Sequence, residues 1–295
     1  MAKDSEEVKD LDSVISGFRS CGYVADRALA TSVYLLIKLG KPLLIEGHAG
    51  VGKTEVAKVL ASFLDTSLIR LQCYEGLDIN AAVYEWNYQK QLLAIKLETP
   101  IEDPLQERLK HIFGPEFLLE RPLLQSIRQR VAPVLLVDEV DRADEAFEAF
   151  LLELLSEFQI TIPEMGSIKA LTRPYVVLTS NRTRELSDAL KRRCLYHWID
   201  YPTREKELEI VRARLPFTGE ELRTQAVGVV QKVRQMNLSK PPGVAETLDF
   251  VEALATLHTE RLNVAAVEQT LGCISKSAED IAAIKNGGVE TLVYS

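Results

Sequence analysis

No apolar run in this 295-residue sequence approaches the roughly 18 residues that a bilayer-crossing helix needs, so no transmembrane segment is expected. Cysteine is scarce and scattered. Cys21, Cys73, Cys194 and Cys273 form no CxxC pair, which argues against a zinc site and a disulfide framework and suits a reducing cytoplasm. Positive charge is in deficit: 35 Lys and Arg stand against 43 Asp and Glu, for a formal charge of -8 and a pI of about 5.3. An acidic chain with no basic run longer than "KRR" fits poorly with proteins that coat nucleic acid. The opening "MAKDSEEVKDLDSV" is polar and acidic, so no secretory signal is expected. Internal repeats and low-complexity tracts are lacking too, which leaves a cytoplasmic enzyme or binding protein.

What is present is ample core material, 46% hydrophobic, in a length that suits one large domain or a main domain with a smaller partner. Residues 5 to 20 and 24 to 39 read as helices, the second stopped by Gly40 and Pro42. "PLLIE" reads as a strand and "KTEVAKVLASFL" as a helix, followed by the strand "SLIRLQ". From residue 133 strands and helices alternate: "PVLLVDE", "ADEAFEAFLLELLSEF", "RPYVVLTSN", "RELSDALKRR", "CLYHWIDYP". That alternation predicts an α/β fold with a parallel sheet covered on both faces. After Pro202 strand signals stop and four amphipathic helices follow, so a boundary is expected there: an α/β core over 1–202 and a small all-helical domain over 203–295. Two stretches break the pattern. Tyr84, Trp86 and Tyr88 alternate at period two, like a strand or hairpin, where a helix is expected (an insert at about 80–97). A hairpin is expected over about 158–173, around Met165-Gly166.

The first motif lies between strand and helix. "GHAGVGKT", Gly47 to Thr54, fits G-x-x-x-x-G-K-S/T. Its residues (Gly47, His48, Ala49, Gly50, Val51, Gly52, Lys53, Thr54) can curl so that several backbone N–H groups converge on one phosphate. Lys53 can reach the β and γ phosphates, the Thr54 hydroxyl can ligate Mg2+, and the following helix points its positive end at the same anion. A plain glycine-rich turn would not need the Lys-Thr pair.

"VLLVDEVDRAD" follows at 134–144. A buried strand ending in Asp138 and Glu139 offers one carboxylate to hold Mg2+ and a second to orient and deprotonate an attacking water. A small-molecule kinase has no need of the second. Asn181, ending "VVLTSN", can hold that water or the γ phosphate, although an Asn opening a turn is commonplace. Arg192 and Arg193 close a short helix. Basic residues there are favoured by the helix dipole, but an arginine finger reaching a neighbouring subunit's nucleotide is the functional reading. Sequence does not choose between the two, and Arg193, nearer the next strand, is slightly preferred.

These four motifs, in this order and with helices behind them, resemble the AAA+ ATPases. The two inserts are similar to those of the MoxR branch of ring-forming chaperone ATPases. "YEWNYQKQLL", "FGPEFLLERPLL", "QITIPEMGSIKA" and "TSNRTRELSDALKRRCLYHWIDYP" resemble the CoxD type, linked to maturation of the molybdenum–copper centre of carbon monoxide dehydrogenase. The resemblance implies an AAA+ P-loop NTPase core with a helical lid, ATP and Mg2+ as cofactors, and assembly into a ring, expected to be a hexamer. It also implies a protein client, with apo carbon monoxide dehydrogenase as the candidate, a von Willebrand factor A-type partner, no nucleic-acid partner, and a cytoplasmic location with the inner membrane face as a variant. One departure stands out: no arginine lies between Arg234 and Arg261, where many AAA+ lids carry a phosphate-sensing one, and Lys240 is the only nearby substitute. The rival readings are a nucleic-acid-dependent AAA+ motor, opposed by the charge, and a nucleotide-gated scaffold, opposed by Glu139.

Overall fold

A computed structural model of the chain describes residues 8–97 and 111–294. The chain forms two compact units. Met1–Lys9, Thr31–Ile45 and Leu60–His197 make the first, and Asp10–Ala30, Glu46–Val59 and Trp198–Ser295 the second. The part of the predicted first helix before residue 8 lies outside the described residues, where the helix is Leu11–Ser20, capped by Asp10.

The strands are β1 (Leu43–Gly47), β2 (Leu68–Gln72), β3 (Tyr84–Trp86), β4 (Leu118–Glu120), β5 (Val134–Asp138), β6 (Gln159–Ile162), β7 (Gly166–Lys169), β8 (Tyr175–Ser180) and β9 (Leu195–Ile199). Five of them form one sheet in the order β2-β5-β8-β1-β9. β5 runs parallel to both β2 and β8. Parallel neighbours cannot be joined by a tight turn, so helices carry the connections, as the alternation predicts. β5 is buried at every residue, which is why "VLLVD" reads as a continuous apolar run rather than an alternating one. Leu135 and Val137 join Phe147, Leu151 and Leu154 of the helix Glu145–Glu157 in the core of the first unit, all fully buried.

β6 and β7 pair antiparallel, from Gln159 opposite Lys169 to Ile162 opposite Gly166. β3 pairs antiparallel with β4. The period-two row of aromatics ends early. Asn87 accepts a hydrogen bond from Lys90 N through its side chain at 3.0 Å, so Tyr88 opens a helix, Tyr88–Leu97, instead of extending the strand.

In the second unit six helices follow β9: Arg204–Arg214, Glu220–Arg234, Val244–Thr256, Val264–Ile274, Ala278–Asn286 and Val289–Tyr294. The first four are the expected ones. The last two complete the same core through Ile284, Val289 and Leu292, which pack with Val227, Val230, Phe250 and Val267.

Candidate active site

The phosphate loop belongs to the second unit. Gly47 has no room for a side chain: a Cβ there would fall 2.2 Å from the Ile199 carbonyl oxygen. A Cβ on Gly50, with φ +74°, would lie 2.9 Å from the Glu246 carboxylate and 3.3 Å from Gly243 Cα, at the start of the helix Val244–Thr256. The Gly50 carbonyl accepts hydrogen bonds from Val244 N at 2.9 Å and Ala245 N at 3.2 Å, while Glu246 accepts one from Gly243 N at 2.9 Å. The helix end therefore finds its partner in the loop. Lys53 is nearly buried, and its ammonium donates to the carbonyls of Gly47 at 2.9 Å and His48 at 2.6 Å. A phosphate would offer that cation stronger, charged acceptors. Thr54 follows in the first turn of the helix Lys53–Phe63.

His48 stacks on Tyr201, ring centroids 4.5 Å apart and planes at 8°. Its edge meets Trp198. The Arg234 guanidinium covers Tyr201 at 4.8 Å and binds both carboxylate oxygens of the fully buried Glu207 at 2.8 and 3.0 Å. Thr247 and Gln231 donate to the same carboxylate. Arg234 is thus committed to an ion pair. Lys240 is exposed, tied through its backbone N–H to Asp280 at 3.1 Å.

A cavity of about 290 Å³ is lined by Arg19, Tyr23, Val24, Glu209, Arg212 and Ala213. Tyr23 borders the loop, 4.0 Å from where a Gly52 Cβ would lie. Burial, then Asp26 and Glu55, push its hydroxyl well above the usual tyrosine range, so it remains a neutral donor. Nothing in the sequence motifs points to these residues, which come from the end of the helix Leu11–Ser20 and from the helix Arg204–Arg214.

The acidic pair belongs to the first unit. Asp138 is buried, and each of its oxygens is engaged: Oδ1 accepts from Thr179 Oγ1 at 2.5 Å, and Oδ2 from Arg70 Nη2 at 2.6 Å and Nε at 3.1 Å. Glu139 takes the left-handed conformation, φ 55° and ψ 49°, uncommon for a side-chain-bearing residue and a mark of functional sites. Thr179 pins that turn by accepting from Glu139 N at 2.9 Å. The turn aims the carboxylate out, about a third exposed, where Gln72 Nε2 (3.1 Å), Arg142 Nη1 (3.2 Å) and Asn181 Nδ2 (3.4 Å) hold it. Asn181 is placed by buried Asp141, which accepts from Asn181 N at 3.2 Å and from Thr183 N at 2.8 Å. Asp138, Glu139 and Asn181 are therefore one cluster. Arg70, Gln72, Thr179 and Asp141 complete it, and the motifs missed all four.

Asp138 and Thr54 are hard oxygen donors of the kind Mg2+ takes. No group of three or more His, Cys, Asp or Glu that could cage a metal is found among the described residues.

The helix Asp188–Arg193 treats its two arginines differently. Arg193 donates to Ser156 Oγ at 2.5 Å and to Ala189 O at 3.0 Å. Arg192 is exposed and makes no hydrogen bond or ion pair among the described residues.

The model of the AAA domain (dynein-related subfamily) matches residues 42–194, from the approach to the phosphate loop to the end of the arginine-bearing helix. The chain belongs to this family. An uncharacterized protein of Staphylococcus haemolyticus is 22% identical over 253 residues, covering 84% of this chain and 88% of that protein. One of Staphylococcus aureus is 24% identical over 254 residues with the same coverage. Among solved structures, a RuvB mutant of Thermotoga maritima covers 92% of this AAA chain and is covered over 73% of its own, at 19% identity and a TM-score of 0.46.

Proposed function

We propose that this protein is a Mg2+-dependent ATPase of the MoxR branch that remodels a protein client. The observation that carries the reading is the Glu139 carboxylate, turned out of a buried strand end beside Asp138 and held by the Asn181 amide. A scaffold that only binds nucleotide has no use for that arrangement, and AAA domains in general hydrolyse nucleotide. Lys53 exchanges its own loop carbonyls for phosphate oxygens. Asp138 and Thr54 would hold Mg2+, which when bound neutralises charge on the phosphates. Glu139 orients a water and takes its proton, and Asn181 steadies that water or the γ phosphate. The finger is Arg192, because Arg193 is already spent on its own chain. We take the division at residue 202 as the border between ATPase core and lid.

The resemblance to the CoxD type extends this to a client. The ring, with the hexamer as the expected size, acts on a metalloenzyme during maturation of its active site, apo carbon monoxide dehydrogenase being the candidate, alongside a von Willebrand factor A-type partner. The cytoplasm, with or without contact at the inner membrane face, suits that work.

Two variants test the chemistry. Lys53→Ala should weaken ATP binding about 10- to 100-fold, the worth of hydrogen bonds from a charged donor. Glu139→Gln should bind ATP normally in calorimetry while turnover falls on the order of 10²-fold or more. Unchanged ATP binding by the lysine variant removes the basis of the proposal. The Glu139→Gln protein, loaded with ATP, is also the form to use for client capture.

A further inference from the structure

Between Gly47 and Gly52 only His48 and Val51 carry more than a methyl group, and the glycines leave the backbone free to take many shapes. Side-chain anchorage of the phosphate loop therefore falls to those two residues. Val51 is buried. His48 is 46% exposed, yet its ring lies flat on Tyr201, 4.5 Å between centroids and 8° between planes, with its edge toward Trp198 at 5.5 Å. Tyr201 is backed in turn. The Arg234 guanidinium covers it at 4.8 Å, and Arg234 is anchored on both oxygens of buried Glu207 and, from Nε, on Pro242 O at 2.8 Å. The residue that carries the stacked ring also presents the carbonyl that accepts from Lys53 Nζ at 2.6 Å. A ring held in one rotamer leaves its own backbone little room to turn.

We propose that Tyr201 and Arg234 are positioning residues for the phosphate loop. Clamping the His48 ring holds the His48 carbonyl against the Lys53 ammonium, and that fixes where the cation stands before any ligand arrives. The contacts run from Glu207 through Arg234, Tyr201 and His48 to Lys53, so the helices Arg204–Arg214 and Glu220–Arg234 take part in shaping the loop. The stack, not a charge pair, is the clamp: Asp200 stands 3.7 Å from His48 Nε2 but is 70% exposed, and such a pairing contributes little in water. The proposal draws on the ATPase reading only in taking Lys53 as the cation that meets phosphate.

The test uses the full chain without nucleotide. Trace acetylation by acetic anhydride, read by mass spectrometry, compares the nearly buried Lys53 with Lys58, half-exposed on the same helix. His48→Leu should acetylate at Lys53 about three- to tenfold faster than wild type, the range spanned by one aromatic pair, with Lys58 unchanged. Tyr201→Leu should do the same, and the double variant should be no faster than either single one, because both remove the same contact. His48→Phe keeps a flat ring for Tyr201 and should hold the wild-type rate, which separates stacking from general loosening. Asp200→Asn should hold it too. In calorimetry, His48→Leu should bind ATP about three- to tenfold more weakly than wild type, since the loop is no longer preorganised, and should cost nothing further in a Lys53→Ala background. A folded His48→Leu protein whose Lys53 reacts no faster than that of wild type, or whose Lys58 speeds up equally, overturns the proposal. Faster acetylation with unchanged ATP affinity overturns it as well. If the wild type itself binds no ATP, the ATPase reading fails, and the acetylation rates still decide whether the stack positions Lys53.

Discussion

Asp138 and Glu139 are adjacent in sequence and opposite in setting. The first is sealed at the end of β5 and the second is swung outward by a left-handed turn. The sequence singled them out only together with the phosphate loop upstream, because an acidic loop after a strand is common by itself. Their partners were not legible. Arg70, Gln72 and Asp141 read as ordinary surface residues until β2 and β8 come to lie beside β5, and pairing across a parallel sheet leaves no local trace in a sequence. The same surroundings act on Cys73, which follows Gln72 and donates its backbone N–H to Asp138 O at 2.8 Å. Burial first, then the charges of Asp138, Asp141 and Glu139, push its thiol up to about 12. The reactive thiolate is favoured only as pH rises through that value. At pH 8 it is therefore present in about one molecule in ten thousand. Iodoacetamide at pH 8 should leave Cys73 unmodified in the folded protein while labelling the partly exposed Cys21 and Cys273, as read by mass spectrometry. Prompt labelling of Cys73 would contradict the closed β2–β5 edge.

At the scale of elements, alternation revealed the sheet and the hairpin of β6 and β7, but two readings went astray for physical reasons. The row Tyr84, Trp86, Tyr88 reads as one strand face because hydrophobic period alone cannot see that Asn87 caps a helix. The terminal helices Ala278–Asn286 and Val289–Tyr294 escaped because each is short and a glycine pair, Gly287-Gly288, separates them. The corrected insert changes what Trp86 does. It is 6% exposed and packs edge-on against Phe113 at 5.2 Å, so it anchors β3. Trp86→Ala should lower stability by about 3–5 kcal/mol in chemical denaturation. Trp86→Phe should cost less, since its indole N–H has no partner among the described residues.

The junction of the phosphate loop and the helix Val244–Thr256 makes the second claim at this scale. A Cβ on Gly243 would lie 2.8 Å from Gly50 backbone atoms, which cannot rotate away. Gly243→Ala should lower Tm, with overpacking of about 1–3 kcal/mol, and weaken nucleotide binding through the displaced loop. Gly272→Ala, inside the helix Val264–Ile274 with nothing within 4 Å, should raise Tm slightly and leave binding alone. Equal behaviour of the two would mean that the helix does not brace the loop.

For the whole molecule, one question is whether a single chain holds everything the chemistry needs. Within the first unit, the cluster around Glu139 contains Arg70 and Arg142, both engaged with the acidic pair, and Arg193 is bound to Ser156 and Ala189. Arg192 alone of the two helix-end arginines is unengaged among the described residues, and so is open to a partner from another copy. AAA proteins generally assemble as rings, and a ring supplies that copy at every interface. Arg192→Ala should then bind ATP nearly as wild type does and hydrolyse it poorly, because the missing charge stabilises the transition state more than the ground state. Arg193→Ala should instead show a lower Tm, having lost contacts within its own chain. Mixing separates a finger acting in a neighbour from one acting at home. Combine Arg192→Ala with Lys53→Ala, each inactive alone. Interfaces that pair an intact phosphate loop with an intact Arg192 then form, and ATPase activity should partly return. If Arg192 worked only within its own chain, each subunit would still carry one lesion and mixing would restore nothing. Dilution of the wild type should lower specific activity for the same reason, and a strictly monomeric protein with full activity would remove Arg192 from the mechanism.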